Sequence, residues 1–268
     1  MGETVLLVGC GNMGRAMLAG WLAAKPGLAA YVVEPAEALR AQAADLGAHA
    51  VAGAADLPDG LAPDLVFLAV KPQVMPSVLA DYAGYGEATF VSIAAGTTVA
   101  TLKAGLGAGA PVIRCMPNTP AAIGAGMMVC YGTDEVGADA KALTSDLLAA
   151  SGEVAWIKVE ALMDAVTAVS GSGPAYVFHL IECLGAAGAA AGLPADLSAK
   201  LALQTVMGAG RLAAESGTDP ATLRVQVTSP GGTTAAALSV LMGEERMKAM
   251  LENAVEAARA RGEELGRA

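Results

Sequence analysis

The chain has 268 residues, carries a net charge of −10 and is 54% hydrophobic but only 4% aromatic. That length suits two domains or one large one, and the acidic balance argues against a nucleic-acid partner, which usually needs a basic face. No apolar run reaches the roughly 18 residues of a membrane span, and four scattered cysteines without CxxC spacing indicate neither a metal site nor a disulfide framework, as in a cytoplasmic protein with reduced thiols.

The first 160 residues alternate short apolar runs with helical or turn segments. This alternation predicts a mainly parallel sheet with helices on both faces, since unbroken apolar runs are typical of strands buried on both sides. The predicted strands are Val5–Val8, Tyr31–Val33, Leu65–Val70, Phe90–Ile93 and Val112–Cys115, with Met127–Tyr131 and Val154–Val159 as late additions.

The first strand runs directly into Gly9-x-Gly11-x-x-Gly14, and a helical pattern follows. In a dinucleotide site the first glycine permits the turn, the second lets the backbone approach a pyrophosphate, and the third lets the helix pack on the strand.

Glu34 lies at the end of the second strand. A carboxylate at this position accepts a hydrogen bond from a ribose 2′-hydroxyl and repels a 2′-phosphate, which favours NADH. For the glycine loop, the alternative is a strand-helix turn that binds no ligand. For Glu34, the alternative is an exposed glutamate that swings away.

Three further loops follow predicted strands, and ligands of open parallel sheets bind outside the carboxyl ends of the strands. Lys71 either approaches cofactor phosphate or ribose, or is a solvent-exposed turn lysine. Ala94 and Ala95 are small enough for a flat ring to lie against the backbone. Asn118, in a loop stiffened by prolines, either binds the cofactor or closes an Asx-turn. The predicted cofactor contacts are Gly9, Cys10, Gly11, Asn12, Met13, Gly14, Glu34, Ala69, Val70, Lys71, Pro72, Ala94, Ala95 and Asn118.

The composition changes after about residue 160, and the remainder of the chain shows helical patterns without a convincing strand. We therefore predict a first domain over residues 1–160 and an all-α domain over residues 161–268. The predicted helices are Leu162–Gly171, Ala175–Ala191, Ala195–Ser216, Pro220–Val227, Thr233–Leu241 and Glu245–Leu265.

The segment from Val227 to Thr234 contains a Pro-Gly-Gly turn followed by a helix start at Thr233. Backbone N–H groups and the hydroxyls of Ser229, Thr233 and Thr234 would converge there into an anion site suited to a carboxylate. The alternative is a helix capped by a hydroxyl after an ordinary turn. Residues 170–175 form a second glycine turn that leads into a helix.

Five motifs occur together, in order and over nearly the whole chain, and their combination closely resembles pyrroline-5-carboxylate reductase. They are Gly9–Gly14, Ala69–Pro72, Arg114–Pro120, Ser170–Tyr176 and Val227–Thr234.

The resemblance implies a Rossmann domain with a doubly wound, mainly parallel sheet, followed by an all-α dimerisation domain. It implies hydride transfer from NAD(P)H to the C=N bond of 1-pyrroline-5-carboxylate, which gives L-proline in the last step of proline biosynthesis. Thr234 would place its hydroxyl near the ring nitrogen. The substrate carboxylate would contact Ser229, Gly231, Gly232, Thr233 and Thr234.

The resemblance also bears on cofactor and assembly. The family usually favours NADPH, whereas Glu34 favours NADH, so both cofactors stay open. The C-terminal helices would form a homodimer, the partner subunit's helical domain would complete the active site, and dimers would assemble further into decamers.

Two other functions fit the layout. A 3-hydroxyacid dehydrogenase needs a lysine in its helical domain, but Lys200 and Lys248 lie outside any glycine-rich turn. A nucleotide-sensing regulator would bind NAD(P) without turnover, and it would have no need of a second anion site.

Overall fold

The computed structural model describes residues 2–267, and strands and helices alternate through its first part. The strands are β1 Thr4–Val8, β2 Ala29–Val33, β3 His49–Val51, β4 Leu65–Leu68, β5 Thr89–Ser92, β6 Val112–Met116, β7 Gly126–Gly132 and β8 Gly152–Trp156. The helices are α1 Asn12–Ala24, α2 Glu37–Asp45, α3 Met75–Tyr82, α4 Val99–Leu106, α5 Ala138–Ala149, α6 Met163–Val166, α7 Gly173–Ala190, α8 Ala195–Glu215, α9 Pro220–Gln226, α10 Thr233–Met242 and α11 Arg246–Arg267.

All eight strands form one sheet in the order β3-β2-β1-β4-β5-β6-β7-β8. The strands from β3 to β6 are parallel, whereas β7 is antiparallel to β6 and pairs in parallel with β8. The strand order reverses between β1 and β4, and such a switch point opens a crevice at the carboxyl ends of the strands. The prediction of a doubly wound, mainly parallel sheet is confirmed.

Both faces of the sheet are buried. Since successive residues of a strand point to opposite faces, each strand contributes side chains to both cores. On one face Leu7 lies in a cluster with Trp21 and Phe67, whose ring centroids are 4.4 Å apart. On the other face Leu6 lies in a cluster with Phe90. Strands that contribute to two cores read as continuous apolar runs, which is why their positions could be predicted.

Two compact units make up the chain, one containing residues 1–172 and 258–268 as far as these are described, the other containing residues 173–257. In the second unit α7 packs against α8, and the Ser198 hydroxyl donates to the Gly185 carbonyl at 2.6 Å. The all-α character of this part is confirmed. The domain boundary at residue 160 stays a prediction.

Two elements differ from the sequence prediction. The short strand β3 was not predicted, and its first residue His49 stacks on Tyr31 with ring centroids 5.0 Å apart. The predicted helix over Leu162–Gly171 is instead the short α6 followed by a π-turn at Thr167–Gly171.

Among the described residues, no helix combines the length and apolarity that crossing a membrane requires.

Candidate active site

The glycine loop lies at the switch point, directly beside the end of β4. Gly9 has a φ of +88°, and a Cβ atom there would lie 3.0 Å from the Ala69 carbonyl oxygen. A Cβ on Gly14 would lie 2.6 Å from the Gly9 carbonyl oxygen. Both positions therefore require glycine for reasons internal to the protein, the first for the turn and the second for close packing of α1.

Gly11 differs from these two glycines, because a Cβ built on it would have no atom of the described residues within 4 Å apart from its neighbours along the chain. It is the N-cap residue of α1 and provides no side-chain cap. The N–H groups of Asn12, Met13 and Gly14 consequently have no acceptor among the described residues. Open space in front of three free N–H groups at a helix N-terminus fits a dinucleotide pyrophosphate.

Glu34 is buried at the end of β2 with a relative exposure of 7%. Its carboxylate accepts the Cys10 N–H at 2.7 Å and the Ala36 N–H at 2.9 Å. The alternative of an exposed glutamate that swings away is therefore wrong. The carboxylate fixes the glycine loop to β2, and each of its oxygens keeps a lone pair for a further donor.

Cys10 lies within the glycine loop and is fully buried. Burial, together with the neighbouring Glu34 carboxylate, raises the pKa of its thiol to about 11. A thiol with such a pKa stays protonated near neutral pH and is a poor nucleophile. Its place in the site is that of a small side chain filling the loop.

The loops after β4 and β5 occupy the same edge of the sheet. Lys71 is exposed just beyond β4. Ala94 is buried and donates its N–H to the Ser92 hydroxyl at 3.3 Å, which holds the turn after β5 close to the sheet. The structure thus brings the predicted cofactor residues of β1, β2, β4 and β5 to one edge.

Asn118 follows β6, and both ends of its side-chain amide contact the protein. Its Oδ1 accepts the Met127 N–H at 2.8 Å, and its Nδ2 lies 3.2 Å from the Ser170 carbonyl oxygen. This arrangement favours a role within the protein over a side-chain contact with the cofactor. The partner Ser170 lies 52 residues away in sequence, so no local pattern could have identified the pair.

An ion pair that was not predicted lies behind the loop after β5. Glu160 Oε1 accepts a hydrogen bond from Arg114 Nη1 at 2.7 Å and another from the Val99 N–H at 2.8 Å. The Arg114 side chain is only 7% exposed. Since Val99 is the first residue of α4, this carboxylate stabilises the N-terminus of the helix that follows the loop.

The second predicted site precedes α10 in the helical unit. Gly231 has a φ of +69°, and Gly232 is an N-cap without a side-chain cap. No hydrogen bond of the Ser229, Thr233 or Thr234 hydroxyls occurs among the described residues, so the alternative of a hydroxyl-capped helix is wrong. The N–H groups of Thr233, Thr234 and Ala235 also lack acceptors there. Such a helix start can bind a carboxylate.

Comparison with known families gives two matches along the chain. Residues 160–265 match the family described as pyrroline-5-carboxylate reductase dimerisation. Residues 4–96 match the family described as NADP oxidoreductase coenzyme F420-dependent. The first match covers the helical part of the chain, and the second covers the strands and loops around the switch point.

Two curated relatives have the same name. A pyrroline-5-carboxylate reductase from Pseudomonas aeruginosa is 40% identical, with 97% of this chain and 96% of that protein covered. The enzyme of the same name from Escherichia coli is 35% identical, with 94% of each chain covered.

Solved structures agree with these relatives. A pyrroline-5-carboxylate reductase from Coxiella burnetii matches with a TM-score of 0.92 and 31% identity over 99% of both chains. A pyrroline carboxylate reductase from Plasmodium falciparum, solved with NADP bound, matches with a TM-score of 0.81 and 30% identity over 98% of both chains.

Proposed function

This chain belongs to the pyrroline-5-carboxylate reductase family. On that premise we propose which of its residues bind the substrate and which bind the cofactor. The protein is an NAD(P)H-dependent oxidoreductase that reduces the C=N bond of 1-pyrroline-5-carboxylate to give L-proline. The hydroxyacid dehydrogenase and the nucleotide-sensing regulator are thereby set aside.

The uncapped start of α10 carries the proposal for substrate binding. Among the described residues, three N–H groups without acceptors and three hydroxyls without partners lie within the seven residues from Ser229 to Ala235. The substrate has one carboxylate, and a helix N-terminus favours a negative charge. We assign the carboxylate to this loop, with Gly231 and Gly232 allowing close approach of the backbone.

Thr234 is assigned to the ring nitrogen. A cyclic imine is readily protonated, and the resulting iminium accepts hydride at carbon without a strong protein acid. When bound, NAD(P)H supplies that hydride. The protein therefore has to bind and orient the substrate and to hold the proton on its ring nitrogen. Thr234 is half-buried, and its hydroxyl is suited to hold the ring N–H in one orientation.

The edge of the sheet is assigned to the cofactor. The pyrophosphate would bind the free N–H groups of α1 beyond Gly11, and the adenosine ribose would approach Glu34. Because the Glu34 carboxylate is fixed by two backbone N–H groups, it cannot move away from a 2′-phosphate. We therefore assign this enzyme a preference for NADH over NADPH.

The helical part carries the association between subunits, as expected of a match to a dimerisation family. We propose that the partner subunit completes the active site, so that the dimer is the active unit. Assembly of dimers into decamers, and a cytoplasmic location in which the four free cysteines stay reduced, complete the proposal.

The first experiment follows oxidation of NADH and NADPH, in parallel, by purified protein with 1-pyrroline-5-carboxylate. We expect turnover with both cofactors and a kcat/KM for NADH at least about ten-fold higher, equivalent to about 1.4 kcal/mol. No turnover with either cofactor would reject the reaction. A preference for NADPH would reject only the assignment of Glu34.

The same assay tests Thr234. Thr234→Ala should lower kcat/KM by on the order of 10²-fold, because the ring nitrogen loses its hydrogen-bond partner. Ser239→Ala, which removes an exposed hydroxyl from the same helix, serves as the control and should behave like the wild type. Unchanged turnover and substrate affinity in Thr234→Ala would remove Thr234 from the mechanism.

A further inference from the structure

One carbonyl group between α6 and α7 lacks its usual donor. In a helix the Ser170 carbonyl would accept the N–H of the residue four positions later, which is Pro174 and has no N–H. The π-turn at Thr167–Gly171 lies at this point, with the Ser172 N–H donating to the Thr167 carbonyl at 2.8 Å. Such turns are frequent at functional sites.

Asn118 supplies the missing donor. Its Nδ2 lies 3.2 Å from the Ser170 carbonyl oxygen and 3.4 Å from the Ser170 hydroxyl. The other end of the amide is held in turn, because Oδ1 accepts the Met127 N–H at the start of β7. The amide can satisfy both groups only in one orientation, with its NH₂ toward the π-turn.

A second contact joins the same two segments. A Cβ atom on Gly171 would lie 3.3 Å from Sδ of Met116, the last residue of β6. Glycine therefore lets the π-turn lie directly against the end of β6. Asn118 and Ser170 are thus packed together within the first compact unit, although 52 residues separate them.

We infer that these contacts lie at the end of the proposed cofactor site where the nicotinamide would bind. In the proposed site, the adenosine ribose would lie near Glu34 at the end of β2, and the pyrophosphate would lie at the glycine loop after β1. The carboxyl ends of β4, β5 and β6 follow across the switch point, and they would hold the remainder of the dinucleotide. Asn118 lies two residues beyond the end of β6, at that edge.

We propose that Asn118 is a positioning residue for hydride transfer, acting through the Ser170 carbonyl and not through contact with the cofactor. Its hydrogen bond fixes the π-turn against the end of β6 and so sets the surface beside the nicotinamide ring. Hydride transfer depends on the distance between the reacting carbons, and a displacement of about 1 Å can cost on the order of 10²-fold. This inference rests on the proposed reductase function.

The decisive variant is Asn118→Asp, which keeps an oxygen for the Met127 N–H and replaces the donor toward Ser170 with a second oxygen. In single-turnover experiments with NADH bound in advance, hydride transfer should slow by on the order of 10²-fold. The Kd for NADH should change less than about three-fold, because the predicted pyrophosphate and ribose contacts are untouched. Thr119→Ala, an exposed neighbour, is the control with wild-type behaviour.

Rescue tests the carbonyl argument directly. Pro174→Ala restores a backbone N–H that can donate to Ser170, so the double variant Asn118→Asp/Pro174→Ala should regain at least about ten-fold of the lost rate. Should Asn118→Asp fail to fold, Asn118→Gln is used, because it keeps a donor on a longer side chain. It should show the same loss of rate at nearly unchanged NADH affinity.

Three results would overturn the inference. The first is an unchanged rate in Asn118→Asp and Asn118→Gln. The second is a parallel loss of thermal stability, NADH binding and rate, which indicates a general structural role. The third is a slow double variant, which shows that the Ser170 carbonyl is not the group that matters. Turnover by the wild type in the same assay separates each of these results from failure of the proposed function.

Discussion

The glycines of the first loop show how one motif contains two kinds of requirement. Gly9 and Gly14 are fixed by the protein, through a positive φ and through a 2.6 Å approach to a carbonyl oxygen. Gly11 meets neither condition, since its φ is −66° and the space beyond it is open. Its requirement for glycine is thus expected to come from the ligand.

Two alanine variants separate these requirements. Gly11→Ala should fold as well as the wild type, because the poorer N-cap and the stiffer unfolded chain are opposing effects each below about 1 kcal/mol. It should nevertheless weaken NADH binding at least about ten-fold. Gly14→Ala should lose about 1–3 kcal/mol of unfolding free energy as well, because its Cβ overlaps the Gly9 carbonyl. Denaturant unfolding and fluorescence titration measure the two quantities, and normal NADH binding by Gly11→Ala would contradict the assignment.

Sequence reasoning at this scale located residues better than it described their contacts. Glu34 was expected at the end of β2, yet the two backbone N–H groups that fix its carboxylate come from a loop 24 residues earlier and from Ala36. The sequence leaves Asn118 with two possible roles, and its hydrogen-bond partner Ser170 is distant in sequence. Spacing predicts which residues reach an edge of the sheet, whereas hydrogen-bond partners depend on how distant segments meet.

At the scale of elements, α4 begins with support from a distant part of the chain. The Thr98 hydroxyl accepts the Thr101 N–H at 3.1 Å, and Glu160, 61 residues beyond Val99, accepts the Val99 N–H. The same carboxylate neutralises the buried Arg114. One side chain thus couples the start of α4, the strand β6 and the first turn of the segment matched to the dimerisation family.

Glu160→Ala tests this coupling. The variant leaves the Arg114 charge buried without its partner and frees the Val99 N–H, so the free energy of unfolding should fall by about 3 kcal/mol. Glu135→Ala removes the carboxylate that pairs with Lys103 at the surface, where ion pairs contribute little, and should leave the unfolding midpoint unchanged. Both variants are measured at one protein concentration, because the stability of an oligomer depends on concentration. Equal midpoints would show that the Glu160 pair does not stabilise the fold.

Elements with a strong local signal were predicted, and those set by tertiary contacts were not. Seven strands and the long helices have apolar runs or a helical period of their own. Strand β3 has three residues, of which His49 is exposed, so it pairs with β2 without an apolar pattern. At the π-turn, the Ser170 carbonyl accepts a hydrogen bond from Asn118, which lies 52 residues away and outside any sequence window around the turn.

At the scale of the whole molecule, the helical unit exposes large apolar side chains that a single chain cannot cover. On α8, Leu203 is 55% exposed and Met207, one turn later, is 53% exposed, whereas Ser198 and Ala202 are buried. Contiguous exposed apolar surface marks an interaction site in a folded protein. Since this segment matches the dimerisation family, a second copy of the chain is the expected partner.

Leu203→Asp should therefore separate the subunits. A carboxylate placed in an apolar interface must be desolvated without a partner, which costs several kcal/mol and shifts the equilibrium to monomers. Sedimentation velocity should show the monomer, and reductase activity should fall with it, because the proposed site is completed by the partner subunit. Leu46→Asp makes the same change at the end of α2, outside the helical unit, and should stay dimeric and active. An active monomer of Leu203→Asp would show that one chain contains the whole site, and an intact dimer would place the interface on another surface of the helical unit.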